Sequence, residues 1–335
     1  MRVWFNHWFS TAYHLINLMR DGEDLFVIGS SANPDMVYKQ ACDEWYAEDG
    51  SIAAEEYPEF CLEFCREHGV DVFVPRRFLS EVAKRRSDFE RLGVRLFADG
   101  NSGLIGLLED KAATYRFFAE RDFGCVPPVA IASSLDEFTA GYELLKSTAD
   151  RVCYKLITDD GARSFRVIDD SIEAVSGVLS KPGTKLTFEA AKKVLGGYDF
   201  SVPVLMMPYL EGTEISADCL RTASGNLIIP RFKMNGRFSE IRLDKDIMDE
   251  CNKIMNALRI EMPLNIQFKM SGGKPYLLEI NPRMSGGLQL SCAATGINIP
   301  KIALNRLLGK PEILWSYPDF QSRKVAHIET PICLD

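Results

Sequence analysis

The feature that most constrains this chain is the alternation of short apolar runs with amphipathic stretches over its first hundred residues. Runs at 3–5, 25–29, 70–75 and 94–98 have the length and content of strands, while 57–68 and 78–92 show helical periodicity. Strands that alternate with helices need crossover connections, so the expectation is parallel βαβ units in an open sheet. A dinucleotide site on such a sheet needs a glycine-rich turn after the first strand. The turn here reads Asn6-His7-Trp8-Phe9-Ser10, which argues against NAD binding.

Further along, a helix is expected from Glu109, followed by a turn at Pro127-Pro128 and a helix over 134–147. Ser134 is its N-cap, and Glu137 completes a capping box. Strands at 152–157 and 164–168 flank the polar loop 158–163, and helices are expected near 171–180 and 187–195, a small block that looks like a lid. From Val202 the pattern turns to longer strands and hairpins: 204–210, 214–221, 227–233, then a helix over 244–258 and a second hairpin at 264–270 and 275–281. Helices near 287–294 and 299–308 precede a last strand at 323–328. A length of 335 residues suggests two or three packed units.

The net charge of −8 argues against a nucleic-acid surface, which needs a basic footprint, but allows a small anionic ligand held by a few placed cations. No apolar run approaches the ~20 residues that cross a bilayer, and the opening MRVWFNHWFS is broken by Asn6 and His7, unlike a signal peptide. The expected location is the cytoplasm, with no membrane partner. The nine cysteines then read as thiols, with Cys61 and Cys65 on one helix as core residues. His7, His14, His68 and His327 lack metal-ligand spacing and have no Ser or Cys pattern beside them, so no catalytic role is expected of them.

The richest stretch is N-I-Q-F-K-M-S-G-G-K-P-Y-L-L-E-I-N-P-R-M-S-G-G, residues 265–287. Glu279 and Asn281 are two apart on a strand and share a face, with Leu278 and Ile280 turned the other way. A carboxylate and an amide oxygen are hard donors that suit Mg²⁺, which keeps waters and substrate phosphates in the rest of its shell. Arg283 adds a guanidinium for a phosphoryl group or an anionic substrate. On pattern alone the stretch is equally an amphipathic edge strand with a solvated face. Arg231 and Lys233 share one face of another strand, followed by the turn Asn235-Gly236-Arg237; for Arg237 and Arg242 a solvated strand edge is an equal reading.

E-I-N-P-R preceded by N-I-Q-F resembles the metal-binding segment of the ATP-grasp superfamily, in the branch of the carbamoyl-phosphate synthase large subunit and biotin carboxylase. The downstream S-G-G and A-A-T-G-I-N-I-P-K-I-A, residues 293–303, are similar to that branch as well. The resemblance implies Gln267, Glu279 and Asn281 as metal ligands and Arg283 as a contact to phosphate or substrate. Asp110-Lys111 resembles the D-K that opens the helix before the lid, with Lys111 on phosphate, and Tyr154-Lys155-Leu156 the strand whose lysine reaches the ATP phosphates. Met207-Pro208-Tyr209-Leu210 resembles the hinge whose backbone reads adenine, through Met207, Tyr209 and Leu210, and Glu214 the acid that holds the ribose. Basic positions similar to Arg231 and Lys233 assist phosphate or substrate binding in the superfamily.

The resemblance implies an α/β ATP-grasp fold with a Rossmann-like pre-ATP-grasp domain at 1–108 and the ATP-grasp domain at 109–335, its lid at about 128–203. It implies ATP with Mg²⁺ or Mn²⁺, and a ligase that activates a small-molecule carboxylate as an acyl phosphate for an amine or ammonia, with a homodimer left open. A carbamoyl- or carboxy-phosphate-forming enzyme is the alternative, and a non-catalytic nucleotide-binding sensor or subunit the rival of another class. The chain also resembles ATP-grasp proteins found with tellurite-resistance operons. One departure is the loop 158–164, T-D-D-G-A-R-S, which has one glycine where the family's lid loop has several to cradle phosphate.

Overall fold

Val3 and Phe5 project to one side of β1 (Arg2–Asn6) and Trp4 to the other, and all three are fully buried, so both faces of the sheet they belong to are covered. In this computed structural model, which describes residues 1–158, 163–172, 183–234, 238–328 and 330–333, β1 is the centre of an all-parallel sheet. With β2 (Phe26–Ser31), β3 (Glu44–Ala47), β4 (Val72–Val74) and β5 (Arg95–Leu96) its order is β3-β2-β1-β4-β5. Helix α1 (Ala12–Arg20) packs Leu15, Ile16 and Met19 into the cluster that holds Val3 and Phe5. On the other face α2 (Tyr57–His68) packs beside Trp4, which stacks on Phe64 at 4.2 Å and Phe73 at 4.0 Å.

Three departures from the sequence reading have local causes. The half-polar strand β3 was not expected, because only its pairing with β2 marks it as a strand. The helix expected over 78–92 is two, α3 (Leu79–Lys84) and α4 (Arg86–Arg91), which break at Arg85. The added α5 (Ser102–Glu109) contains Gly106, where a Cβ would lie 3.0 Å from Ser80 Oγ. That glycine lowers helix propensity while permitting a close approach to α3.

Contacts divide the chain into two units: Met1–Glu109 with Thr213–Phe268 and Glu279–Asp335, and Asp110–Gly212 with Lys269–Leu278. The second unit holds α6 (Lys111–Ala119), capped by Asp110, whose side chain accepts from Ala113 N at 3.0 Å. Its sheet joins β6 (Ala130–Ala132), β7 (Val152–Leu156), β8 (Arg166–Ile168), β9 (Lys185–Leu186) and β10 (Val204–Pro208) in the order β6-β10-β7-β8-β9, antiparallel except for β8 with β9. Helices α7 (Leu135–Lys146) and α8 (Phe188–Leu195) pack on it, with Tyr142 stacked on Phe188 at 3.8 Å. Ser134 caps α7 as expected, but Glu137 reaches Ser133 N at 2.7 Å, one residue before the cap. Residues 159–162 of the lid loop and all but two residues of the helix expected over 171–180 lie outside the described residues.

A third sheet has the order β15-β14-β11-β12-β13-β16, built from β11 (Glu214–Thr222), β12 (Gly225–Lys233), β13 (Phe238–Arg242), β14 (Leu264–Ser271), β15 (Lys274–Asn281) and β16 (Ser322–Ala326). Helix α9 (Lys245–Leu258), capped by Asp244, packs on β11 and β12, and α10 (Leu288–Thr295) and α11 (Ile299–Leu307) pack against α1. The β14–β15 turn is Gly272-Gly273, with φ of 54° and 77°, the doubly positive geometry of a two-residue hairpin that favours glycine.

Candidate active site

Glu279 and Asn281 end β15, both partly buried, and the Asn281 side-chain N–H donates to Glu279 Oε1 at 3.1 Å. On β14 the Gln267 side-chain N–H donates to Asn265 Oδ1, also at 3.1 Å. Each amide thus spends its nitrogen on a neighbouring oxygen, and among the described residues neither carbonyl oxygen receives a donor. Glu279 and Asn281 together offer hard oxygen donors that fit Mg²⁺ or Mn²⁺, and Gln267 on the neighbouring strand carries a third such oxygen. Among the described residues no group of three His, Cys, Asp or Glu could hold a metal.

Asn265 belongs to a buried network. Its N–H groups reach Ser216 Oγ and Asp218 Oδ1 at 2.9 Å, and Asp218 also accepts from Ser285 and Ser291 at 2.6 Å. Arg231, 6% exposed, donates to Ser216 Oγ at 3.0 Å, with its Nε 3.8 Å from Asp218. A Cβ on Gly287 would sit 2.3 Å from the Arg231 guanidinium carbon, so the loop after β15 closes directly onto that side chain. In this setting Arg231 braces the loop after β15. Lys233 and Glu214 form an ion pair across β11 and β12, both partly exposed, so the residues expected at phosphate and ribose engage each other. Arg242 pairs with Asp244 at 3.2 Å, and Arg237 lies outside the described residues. The Arg283 guanidinium lies 5.7 Å from the Phe9 ring centroid.

In the second unit Lys111 is the first residue of α6, and Lys155 on β7 stands opposite Leu205. Burial pushes the Cys153 thiol up to about 12 against the pull of Lys155 and Lys269, so both ammonium groups lie near it. Lys269 also lies 5.7 Å from the Tyr209 ring, and sequence reasoning missed it although it is two residues beyond Gln267. Of the residues expected at the hinge, Met207 pairs with Cys153 inside β10, and Tyr209 N donates to Arg151 O at 2.8 Å, which spends one backbone group expected to read a base. A groove of about 790 Å³ is lined by Arg151, Pro208, Tyr209, Leu210, Glu211 and Tyr276, and by neither Lys111 nor Lys155.

The turn after β1 holds a second polar cluster. Trp8 fills it, 1% exposed, donating to Val74 O at 2.9 Å, so the place of a glycine-rich turn is occupied. Glu48, its side chain fully buried, accepts from Tyr57 Oη at 2.6 Å and pairs with His7 Nε2 at 2.7 Å. Burial raises the Glu48 carboxyl, but bonds from His7, Ser30 and Tyr57 outweigh it and hold the group below its ordinary range.

Residues 200–331 match a family model described as ATP-grasp in the biosynthetic pathway with Ter operon. Over 222 residues the chain is 24% identical to the carbamoyl phosphate synthase large chain of Clostridium acetobutylicum, covering 62% of this chain and 19% of that one. The biotin carboxylase domain of the Hydrogenobacter thermophilus 2-oxoglutarate carboxylase, in complex with MgADP, ADP and bicarbonate, gives a TM-score of 0.65 at 17% identity, covering 96% of this chain and 72% of that one. L-amino acid ligase from Bacillus licheniformis gives 0.66 at 13%, covering 93% and 75%. At these identities the structural likeness speaks for the fold, and the chain spans about a fifth of the length of its carbamoyl phosphate synthase relative.

Proposed function

From the ATP-grasp fold that this chain adopts, we propose a ligase that uses ATP and Mg²⁺ or Mn²⁺ to phosphorylate a small-molecule carboxylate and joins the acyl phosphate to an amine or ammonia. The observation that carries this reading is the Glu279–Asn281 pair, whose amide nitrogen is already bonded, with the Gln267 amide nitrogen likewise bonded on the next strand. A carboxylate is a poor electrophile because its leaving group would be an oxide. Phosphorylation supplies a better one and splits the condensation into two easier steps.

In the first unit Gln267, Glu279 and Asn281 would hold the metal, which would supply positive charge to the phosphates, and Arg283 would bind the transferred phosphoryl group or the acid. Lys233 is assigned to phosphate or substrate and Glu214 to ribose, roles that require their mutual ion pair to open. Arg231 acts by holding the loop that carries Arg283. In the second unit Lys111 and Lys155 contact the ATP phosphates, and Met207, Tyr209 and Leu210 receive the adenine. A cytoplasmic location and a homodimer accompany this reading as proposals, as does the division into 1–108 and 109–335 with a lid at about 128–203.

A carbamoyl- or carboxy-phosphate-forming enzyme is the second reading, favoured by the match to carbamoyl phosphate synthase and by the bicarbonate in the biotin carboxylase neighbour. A sensor that no longer turns ATP over would be marked by lost metal ligands, which are present in this sequence.

The deciding experiment offers MgATP with bicarbonate and with each of the twenty standard amino acids and measures ADP release. ¹⁸O placed in the carboxylate of an acid that releases ADP is expected in the phosphate, and hydroxylamine is expected to trap a hydroxamate. Bicarbonate as the sole effective acid would establish the second reading. Acid-dependent ADP without label transfer would overturn the acyl phosphate.

A further inference from the structure

The turn Asn6 to Ser10 has no glycine-lined cradle, yet it stands at the carboxyl end of the central parallel strand, where open α/β sheets place their ligands. His7 sits there with φ of 48°, a left-handed backbone that a non-glycine residue adopts only when its surroundings hold it. They do so from three sides. Its N–H donates to Ser30 O at 2.8 Å, its carbonyl accepts from Arg76 Nη1 at 2.9 Å, and its Nε2 meets Glu48 Oε2 at 2.7 Å.

The pairing with Glu48 fixes the chemistry of the ring. An ionised carboxylate only accepts, so the bond to Glu48 calls for a hydrogen on Nε2, and the neutral ring of that tautomer has its lone pair on Nδ1. Among the described residues Nδ1 has no hydrogen-bond partner. The His7 side chain is 16% exposed while that of Glu48 is wholly buried, so the carboxylate backs a ring that solvent still reaches. Arg77 Nη1 stands 3.4 Å from Nε2 and 3.8 Å from the same carboxylate oxygen, and Tyr57 completes the charged and titratable surroundings. Arg76, bonded to the His7 carbonyl, lies 5.7 Å from the Phe9 ring, as does Arg283, which ties this turn to the loop after β15.

We propose that His7 is the general base of the ligation step, its Nδ1 taking the proton that the attacking amine sheds, with Glu48 as the residue that positions it. The inference rests on the acyl-phosphate reading. An amine that arrives as its ammonium gives one proton to Nδ1 before attack. Its nitrogen then forms the C–N bond while the C–O bond to phosphate breaks with its electron pair leaving on phosphate, and the departing phosphate takes the second proton. The Glu48 carboxylate then faces an imidazolium.

Two measurements on the full chain test this. With only four histidines, the ¹⁵N imidazole signal missing from His7→Gln is that of His7, and it is expected in the Nε2–H tautomer. An Nδ1–H tautomer, or a ring protonated on both nitrogens at assay pH, overturns the proposal without any knowledge of the acid. The second compares methylamine, which arrives protonated, with hydroxylamine, which is unprotonated near neutral pH, using the acid identified by ADP release. The ratio of methylamide to hydroxamate is expected to fall by about 10²- to 10⁴-fold in His7→Gln, the usual range for a lost general base. An unchanged ratio, including equal loss of both products, overturns the base role. Failure of the parent reading looks different, since the wild-type chain would then yield no hydroxamate.

Discussion

The Asn281 side chain donates to Glu279 Oε1 at 3.1 Å from two residues further along the same strand. An amide whose nitrogen is spent in this way presents its oxygen as the remaining functional atom, and Gln267 repeats the arrangement through Asn265. Metal affinity on this account resides as much in the bonds behind the ligands as in the ligands themselves.

Glu279→Gln is therefore expected to lower ADP release by more than about a hundredfold, as removal of one electrostatic stabiliser does in other active sites. Glu279 is only partly buried, so urea unfolding should change by no more than about 0.5 kcal/mol. ADP release at the wild-type rate would remove Glu279 from the metal site.

Arg231 should behave in the opposite way. It is buried against Asp218, and truncation of one partner of a buried ion pair leaves the other uncompensated, at about 3–5 kcal/mol. Arg231→Met should lose stability on that scale in urea, whereas a residue acting only on phosphate would leave the unfolding midpoint unmoved.

Glu48 makes a prediction about acid. Its folded carboxyl titrates below the ordinary 4.5, so the unfolded chain takes up the proton first as pH falls. The stability it contributes is complete above that ordinary value and is lost as pH drops through the depressed folded value. Unfolding free energy measured from about pH 6 to about pH 3 should fall less steeply in Glu48→Gln than in the wild type. Superposable acid limbs would show that another group sets them.

Lys155→Ala should weaken ATP binding by about 1.5–3 kcal/mol, the range for a hydrogen bond to a charged group. Lys269→Ala should weaken it too if the second ammonium beside Cys153 also serves phosphate. Calorimetric titration with a non-hydrolysable ATP analogue measures both, and affinity unchanged in Lys155→Ala would place that lysine outside the site.

What could be read in the sequence was whatever periodicity or adjacency encodes. Val3, Trp4 and Phe5 announce a strand covered on both faces, and Glu279 and Asn281 share a face because they are two apart. β3 escaped notice because an edge strand needs little apolar content, and α5 because Gly103 and Gly106 resemble a loop, although Gly106 serves a close approach. Glu48 is 41 residues from His7, and only the parallel pairing of β1, β2 and β3 brings them together, so no spacing rule could join them. Nor does strand period reveal that Lys233 meets Glu214, since that follows from the register of β11 against β12.

Of the proposed metal ligands, Gln267 is the one whose place depends most on register. The two-residue turn Gly272-Gly273, counted straight along the hairpin, opposes odd positions of β14 to even positions of β15, which puts Gln267 and Glu279 on opposite faces. Leu277 and Ile280, however, are both buried although three apart, and a strict two-residue period sends them to opposite sides. A one-residue slip between them would return Gln267 to the face of Glu279, and we propose that β15 has one. Gln267→Ala is then expected to raise the Mg²⁺ concentration for half-maximal ADP release by at least about tenfold, the lower end of what loss of a metal-site group costs. An unshifted Mg²⁺ curve would mean that β15 keeps its straight register and that Glu279 and Asn281 hold the metal without Gln267.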